Sequence, residues 1–125
     1  MSGRKSQRKG AEGERELAEM LTAAGYNVQR GGSQTYGAVP DLVGLPGIHI
    51  ECKRQEQLCL IAALDQAQRD ALRFNDGMPA VFHRRNREPW QVTMRLDDWM
   101  VLYARCFQGS RRNAASSVGV PGSNK

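Results

Sequence analysis

Residues 40–53, Pro40-Asp41-Leu42-Val43-Gly44-Leu45-Pro46-Gly47-Ile48-His49-Ile50-Glu51-Cys52-Lys53, decide the reading of this 125-residue chain. Residues 41–45 and 48–53 are β-branched and aliphatic enough for two strands, and Pro46-Gly47 supplies the turn between them. In the second strand side chains alternate. Ile48, Ile50 and Cys52 point to one face, and His49, Glu51 and Lys53 to the other. A hairpin joined at Pro46-Gly47 brings Asp41 beside Glu51 and Lys53, so that two carboxylates and an ammonium converge. Hard oxygen donors of this kind suit Mg²⁺. Such an ion activates water and polarises a phosphoryl oxygen, while a lysine at its edge orients the attacking water and offsets phosphate charge. The plain alternative is a surface hairpin with an exposed Glu-Lys pair, contributing under about 1 kcal/mol.

Upstream, residues 11–24 have a helical period, with Leu17, Met20, Leu21 and Ala24 forming one apolar stripe and Gly25 placed to cap it. Glu14 falls on that stripe, where an acid is costly unless paired or bound to metal. It is the third carboxylate of the candidate site. The plain alternative is an acid in a frayed first turn, favourably placed on the helix dipole. Residues 26–30 read as a short strand, followed by a flexible stretch. Residues 60–75 form a second helix, with Leu60, Leu64, Ala67, Ala71 and Leu72 on one side. Residues 80–83 and 90–96 are further strands, and residues 99–107 a last helix, in which Trp99, Tyr103 and Phe107 read as core. The predicted order is α-β-β-β-α-β-β-α, an α/β domain with a mixed central sheet of about five strands flanked by helices.

The composition is that of a globular protein, with 40% hydrophobic and 25% charged residues. No apolar run is long enough for a membrane span, and the N-terminus lacks the apolar core of a secretory signal. Three scattered cysteines, Cys52, Cys59 and Cys106, favour neither a disulfide framework nor a zinc site and suit a reducing cytoplasm. The net charge of +5 is concentrated at the ends. Arg4, Lys5, Arg8 and Lys9 make residues 1–9 a basic arm. Arg111, Arg112 and Lys125 make residues 108–125 a basic, disordered tail, and residues 10–107 are left as the folded domain. Basic arms neutralise phosphates, with solubility as the plain alternative.

The strings RKGAEGEREL, VQRGGS, PDLVG and IECK, in this order and spacing over residues 8–55, resemble PD-(D/E)xK nucleases, in particular archaeal Holliday-junction resolvases and small phage-borne endonucleases. HRRNREPWQVTMRLDDW resembles the phage group. The resemblance implies a restriction-endonuclease-like core and metal ligation by Glu14, Asp41, Glu51 and the carbonyl of Cys52, with Lys53 catalytic. It also implies Mg²⁺ as cofactor with Mn²⁺ able to substitute, no small-molecule cofactor, and a homodimer acting on branched DNA in the cytoplasm of a bacterial host. Arg15 and Arg30 match phosphate-side basic residues, and Ser33 falls in the loop that assists the site. Gln68 matches a glutamine that braces the active site from the second helix, with a buried, backbone-satisfied amide the equal alternative. Arg84 and Arg85, in a basic turn after His83, are candidates to grip the DNA backbone. His49 reads as a polar strand residue outside the ligand set. The expected activity is structure-specific endonucleolytic cleavage, most specifically junction resolution. The alternatives are a less selective phage nuclease acting on single-stranded or flapped DNA, and an inactive DNA-binding module on the same scaffold. Loss of an acid or of the lysine would mark the last of these, and none is missing.

Overall fold

The computed structural model describes residues 2–31 and 39–117, with side chains described for residues 9–31 and 39–108. Its elements are α1 (Ser2–Ala23), β1 (Gln29–Arg30), β2 (Leu42–Val43), β3 (Ile48–Arg54), α2 (Leu60–Phe74), β4 (Met78–Arg84), β5 (Gln91–Thr93) and α3 (Leu96–Ser117). The order is the predicted one and the class is α/β. The five strands, however, are divided between two sheets. β1 pairs antiparallel with β2, and β3-β4-β5 form a mixed three-stranded sheet.

The main sheet follows from its connections. β3 and β4 are parallel, Glu51 opposite Val81 and Lys53 opposite His83, because α2 carries the chain back across the sheet between them. β5 returns antiparallel through the short basic turn, with Phe82 opposite Val92. One face of the sheet is covered by α1, where Leu17, Ala18, Val28, Leu42, Ile50, Ala80 and Phe82 form a buried cluster. α2 covers the other, with Ala63 and Ala67 packed on Val81. Ala63, Ala67 and Ala71, at four-residue spacing, are all buried and let α2 lie close to the strands.

Several sequence expectations shift in detail. The apolar stripe of α1 keeps Leu17 but is rotated from the expected one. Met20 and Ala24 are exposed, while Gly13 and Ala18 are buried. A Cβ on Gly13 would stand 2.8 Å from Arg54 Cβ, so a side chain there would push α1 off β3. In α2, Leu72 lies outside the core at 76% exposure, because the alanine stripe takes the contact. Gly25 does end α1, at a φ of 108°, with Tyr26 N donating to Leu21 O at 3.0 Å. Gly44, at φ 133°, lets β2 end against the chain before β1, where a Cβ would meet Asn27 O at 2.2 Å. α1 extends back through residues expected as a free arm, and α3 runs to Ser117 rather than stopping at residue 107.

By its internal contacts the chain divides into two compact units, residues 1–95 and residues 96–125. In the second unit, Asp97 and Asp98 sit in the first turn of α3, where acids favour the helix dipole. Trp99 stacks on Tyr103 at 5.1 Å and Tyr103 on Phe107 at 6.0 Å. Among the described residues no helix is long and apolar enough to cross a membrane.

Candidate active site

Glu14 lies one turn before Leu17 on the covered side of α1, with its side chain only 17% exposed. Arg30, on β1, donates from Nε and Nη2 to Glu14 Oε1 at 3.3 and 3.2 Å. The β1–β2 register sets Arg30 opposite Leu42 and so brings Asp41 to the same end. The Gly31 amide donates to Asp41 O at 2.8 Å. There Asp41 lies close enough to Glu14 for its charge to act on that carboxyl. Burial raises the Glu14 carboxyl above the ordinary carboxylate range, and the Asp41 charge raises it further against the opposing pull of Arg30.

β3 supplies the rest. Cys52 faces α1, and its thiol is pushed up to about 12, first by burial and then by the charges of Glu14, Asp41 and Glu51, with Lys53 opposing. All four charged candidates therefore act on one position. Glu51 and Lys53 face α2, with Lys53 Nζ 3.8 Å from Glu51 Oε2. Gln66 Oε1 accepts from Lys53 Nζ at 2.8 Å and fixes the ammonium beside Glu51. The glutamine that meets Lys53 is Gln66, while Gln68, the one expected to brace the site, lies two residues on, over half a turn around the helix.

The single convergence expected for the three carboxylates is not what the side chains adopt. Among the described residues the group of His, Cys, Asp and Glu ligand atoms all within 4.8 Å of one another is His49, Glu51 and Asp70. Glu14, Asp41 and Glu51 do not form such a group. The reason lies in the strand: α1 covers the Cys52 face, whereas Glu51 projects to the α2 face. Since β2 pairs with β1 rather than laddering onto β3, no hairpin register forces Asp41 against Glu51.

His49 was not expected at the site. It is 2% exposed, with Nε2 3.0 Å from Glu51 Oε1 and Nδ1 2.9 and 3.0 Å from the two Asp76 oxygens. Burial alone would lower its pKa, but hydrogen bonding to Glu51 and Asp76 outweighs it and holds the ring above the ordinary value of 6.5. The signal for the missed group was present. Gln66 and Asp70 are four residues apart on α2, so both stand on the flank of the alanine stripe that faces His49, Glu51 and Lys53.

The basic candidates divide. Lys9 pairs with Glu56 at 3.2 Å, and Arg15 is exposed. Arg84 is committed internally: it donates to both Glu16 oxygens at 3.2 and 3.1 Å and to the carbonyls of Arg85 and Glu88. Arg85 remains open, its side chain 63% exposed and 4.0 Å from Glu88. The side chains of Arg4, Lys5 and Arg8, and all of Ser33, lie outside the described residues.

The family model described as "Phage putative PDDEXK endonuclease" matches residues 5–113. The chain belongs to this phage PD-(D/E)xK endonuclease family. Its fold is also that of a solved structure, Hjc of Archaeoglobus fulgidus, a Holliday junction resolvase from an archaeal hyperthermophile. That likeness has a TM-score of 0.51 at 24% identity, over 69% of this chain and 72% of the other. No curated protein matches the chain. The family match agrees with the nuclease reading of the sequence, and its range includes Asp41, Glu51 and Lys53.

Proposed function

We propose that this nuclease is a Mg²⁺-dependent, structure-specific DNA endonuclease that resolves four-way junctions as a homodimer in the bacterial cytoplasm. The observation that carries the metal reading is the Glu14 carboxyl, largely buried on α1 and raised by burial and by the Asp41 charge, next to half-buried Cys52, whose thiol the charges of Glu14, Asp41 and Glu51 also push up. The donor types fit the ion: Glu14 on α1 and Asp41 just before β2 offer hard oxygens of the kind a divalent cation takes, and Glu51 on β3 would turn from the α2 face to complete the set with the Cys52 carbonyl. When bound, Mg²⁺ would polarise a phosphoryl oxygen and lower the pKa of a coordinated water. Lys53, held by Gln66, would orient the attacking water and balance charge on the phosphate. Arg30, now on Glu14, stands ready to meet a phosphate once a cation takes up that carboxylate's charge.

Branched DNA is supported by the fold shared with a junction resolvase, and the dimer by the need to cut paired strands symmetrically. Two chains related by a twofold axis meet that need. Phosphate contacts from the basic arm, Arg15 and Arg85 would give affinity without sequence preference. The family's own description names no junction, which favours a less selective nuclease on single-stranded or flapped DNA as the second reading.

The test is the purified chain with Mg²⁺ and matched-sequence four-way, flapped, duplex and single-stranded DNA, together with sedimentation. Preferential cutting of junctions by a dimer is expected. A strict monomer, or equal degradation of flaps and single strands, overturns junction resolution while leaving nuclease chemistry in place. No cleavage of any DNA with Mg²⁺ or Mn²⁺ overturns both.

A further inference from the structure

On the α2 face of β3, we infer a separate site for a divalent transition-metal ion, held by His49 Nε2, Glu51 and Asp70 and supported from behind by Asp76. It differs from the proposed Mg²⁺ site in face and in donor chemistry, sharing only Glu51. It stands whether or not the chain cuts branched DNA.

Asp76 holds Nδ1 of His49 between its two oxygens, at 3.0 and 2.9 Å, and so aims Nε2 at Glu51 Oε1, 3.0 Å away. Both side chains are buried, at 3% and 7% exposure. Asp70 adds a carboxylate oxygen within 4.8 Å of a ligand atom of each. Three donors from β3 and α2 thus converge on one point, with a fourth carboxylate behind the imidazole.

The spacing also fits. Two ligands at right angles on an ion with bonds of about 2.1 Å stand about 3.0 Å apart, and two opposite ligands about 4.2 Å apart. The Nε2–Oε1 distance is that of neighbouring ligands, and Asp70, bounded at 4.8 Å, needs to close by at most about 0.6 Å to stand opposite one of them on the same ion. A carboxylate behind the ligating imidazole is the usual outer support of a metal-bound histidine. It fixes the tautomer and makes the ring a better donor. Asp76, in the turn that brings the chain from α2 into β4, has that position. An imidazole among two carboxylates shifts preference from Mg²⁺ towards the transition series, and no thiolate in the set draws it to the softest ions.

The test uses Mn²⁺ with the full chain, read by calorimetry and by pulsed electron paramagnetic resonance for ¹⁴N coupling to bound Mn²⁺. The wild type and Asp41→Asn should both show imidazole nitrogen on the metal. Asp70→Asn should weaken that binding at least about tenfold. Asp76→Asn, outside the ligand shell, should weaken it about 10–100-fold. His49→Gln should abolish the nitrogen signal. If the buried histidine variant does not fold by circular dichroism, Asp70→Asn at a half-buried helix position still decides. Mn²⁺ bound without nitrogen coupling in the wild type, or unchanged affinity in Asp70→Asn, overturns the site and leaves His49 as a proton-bridged structural residue.

Discussion

Asp41→Asn should make the metal-free protein more stable while making it inactive. Glu14 is largely buried beside Asp41, and its carboxyl sits above the ordinary range, first through burial and then through the Asp41 charge. Two unit charges about 4 Å apart at an effective dielectric near 20 repel by about 4 kcal/mol. Arg30, 3.2 Å from Glu14 Oε1 but itself 37% exposed, cancels most of this. About 1–2 kcal/mol of unrelieved repulsion is a reasonable remainder. Asparagine is isosteric, removes the charge and can donate to Glu14. Near neutral pH the expected gain is therefore about 3–12 °C in melting temperature, at roughly 3–6 °C per kcal/mol for a chain of this size. Mg²⁺ should reverse the order. At a hundred times its dissociation constant it would add about 2.7 kcal/mol to the wild type and little to the variant. Cleavage should fall at least about a hundredfold, as expected when an ion loses a positioning ligand. The assay is thermal unfolding with and without Mg²⁺, alongside cleavage of one radiolabelled junction. A variant that melts lower than the wild type without metal, or that gains as much from Mg²⁺, refutes the carboxylate pair as a cation site.

Other expectations follow from particular contacts. Arg84→Gln should cost about 1–2 kcal/mol of stability, discounted because Glu16 is 39% exposed, and should leave the salt dependence of DNA binding unchanged; a reduced salt slope at unchanged stability would return Arg84 to the DNA interface. Deleting residues 1–8 should weaken binding to all DNA shapes alike, each lost phosphate contact lowering the log–log salt slope by about 0.9, and an unchanged slope would assign these charges to solubility. His83 is held below its ordinary value of 6.5 by burial, so the folded state resists a proton that the unfolded state accepts. Its contribution is full above the unfolded pKa and declines as pH falls through 6.5 to the folded value. Chemical denaturation of the wild type should therefore lose more stability over that window than His83→Gln; equal losses would show that His83 titrates normally.

The elements of this fold were legible because their periods are clean. Residues 48–53 alternate and form β3 almost as bounded, and residues 60–75 repeat at helical spacing and form α2. The sheet partition was not legible. Whether the 41–45 strand ladders onto β3 or onto β1 depends on Gly44, whose missing side chain lets the chain close on Asn27. Period two carries no information about which neighbour accepts the hydrogen bonds. The burial of α1 was misread by one column for a similar reason. Counting large apolar residues selected Met20, whereas the close approach to Arg54 is made possible by Gly13, which such counting ignores.

At the site, the same limit explains what was found and what was missed. Glu14, Asp41, Glu51 and Lys53 could be named because each breaks a local rule: an acid on an apolar stripe, charges in a β-branched strand. His49 breaks none, since a histidine in a strand is ordinary until α2 covers it. Its role comes from Asp70 and Asp76, residues 21 and 27 positions away that reach it only through the β3–α2–β4 crossover. That crossover gives Glu51 two neighbourhoods: the electrostatic field it shares with Glu14 and Asp41 at Cys52, and direct contact with His49 on its own face. A carboxylate placed so can be drawn towards either side. If both proposed sites bind, the balance between the Glu14–Asp41 pair and the His49–Asp70 pair for Glu51 would set which ions this nuclease holds.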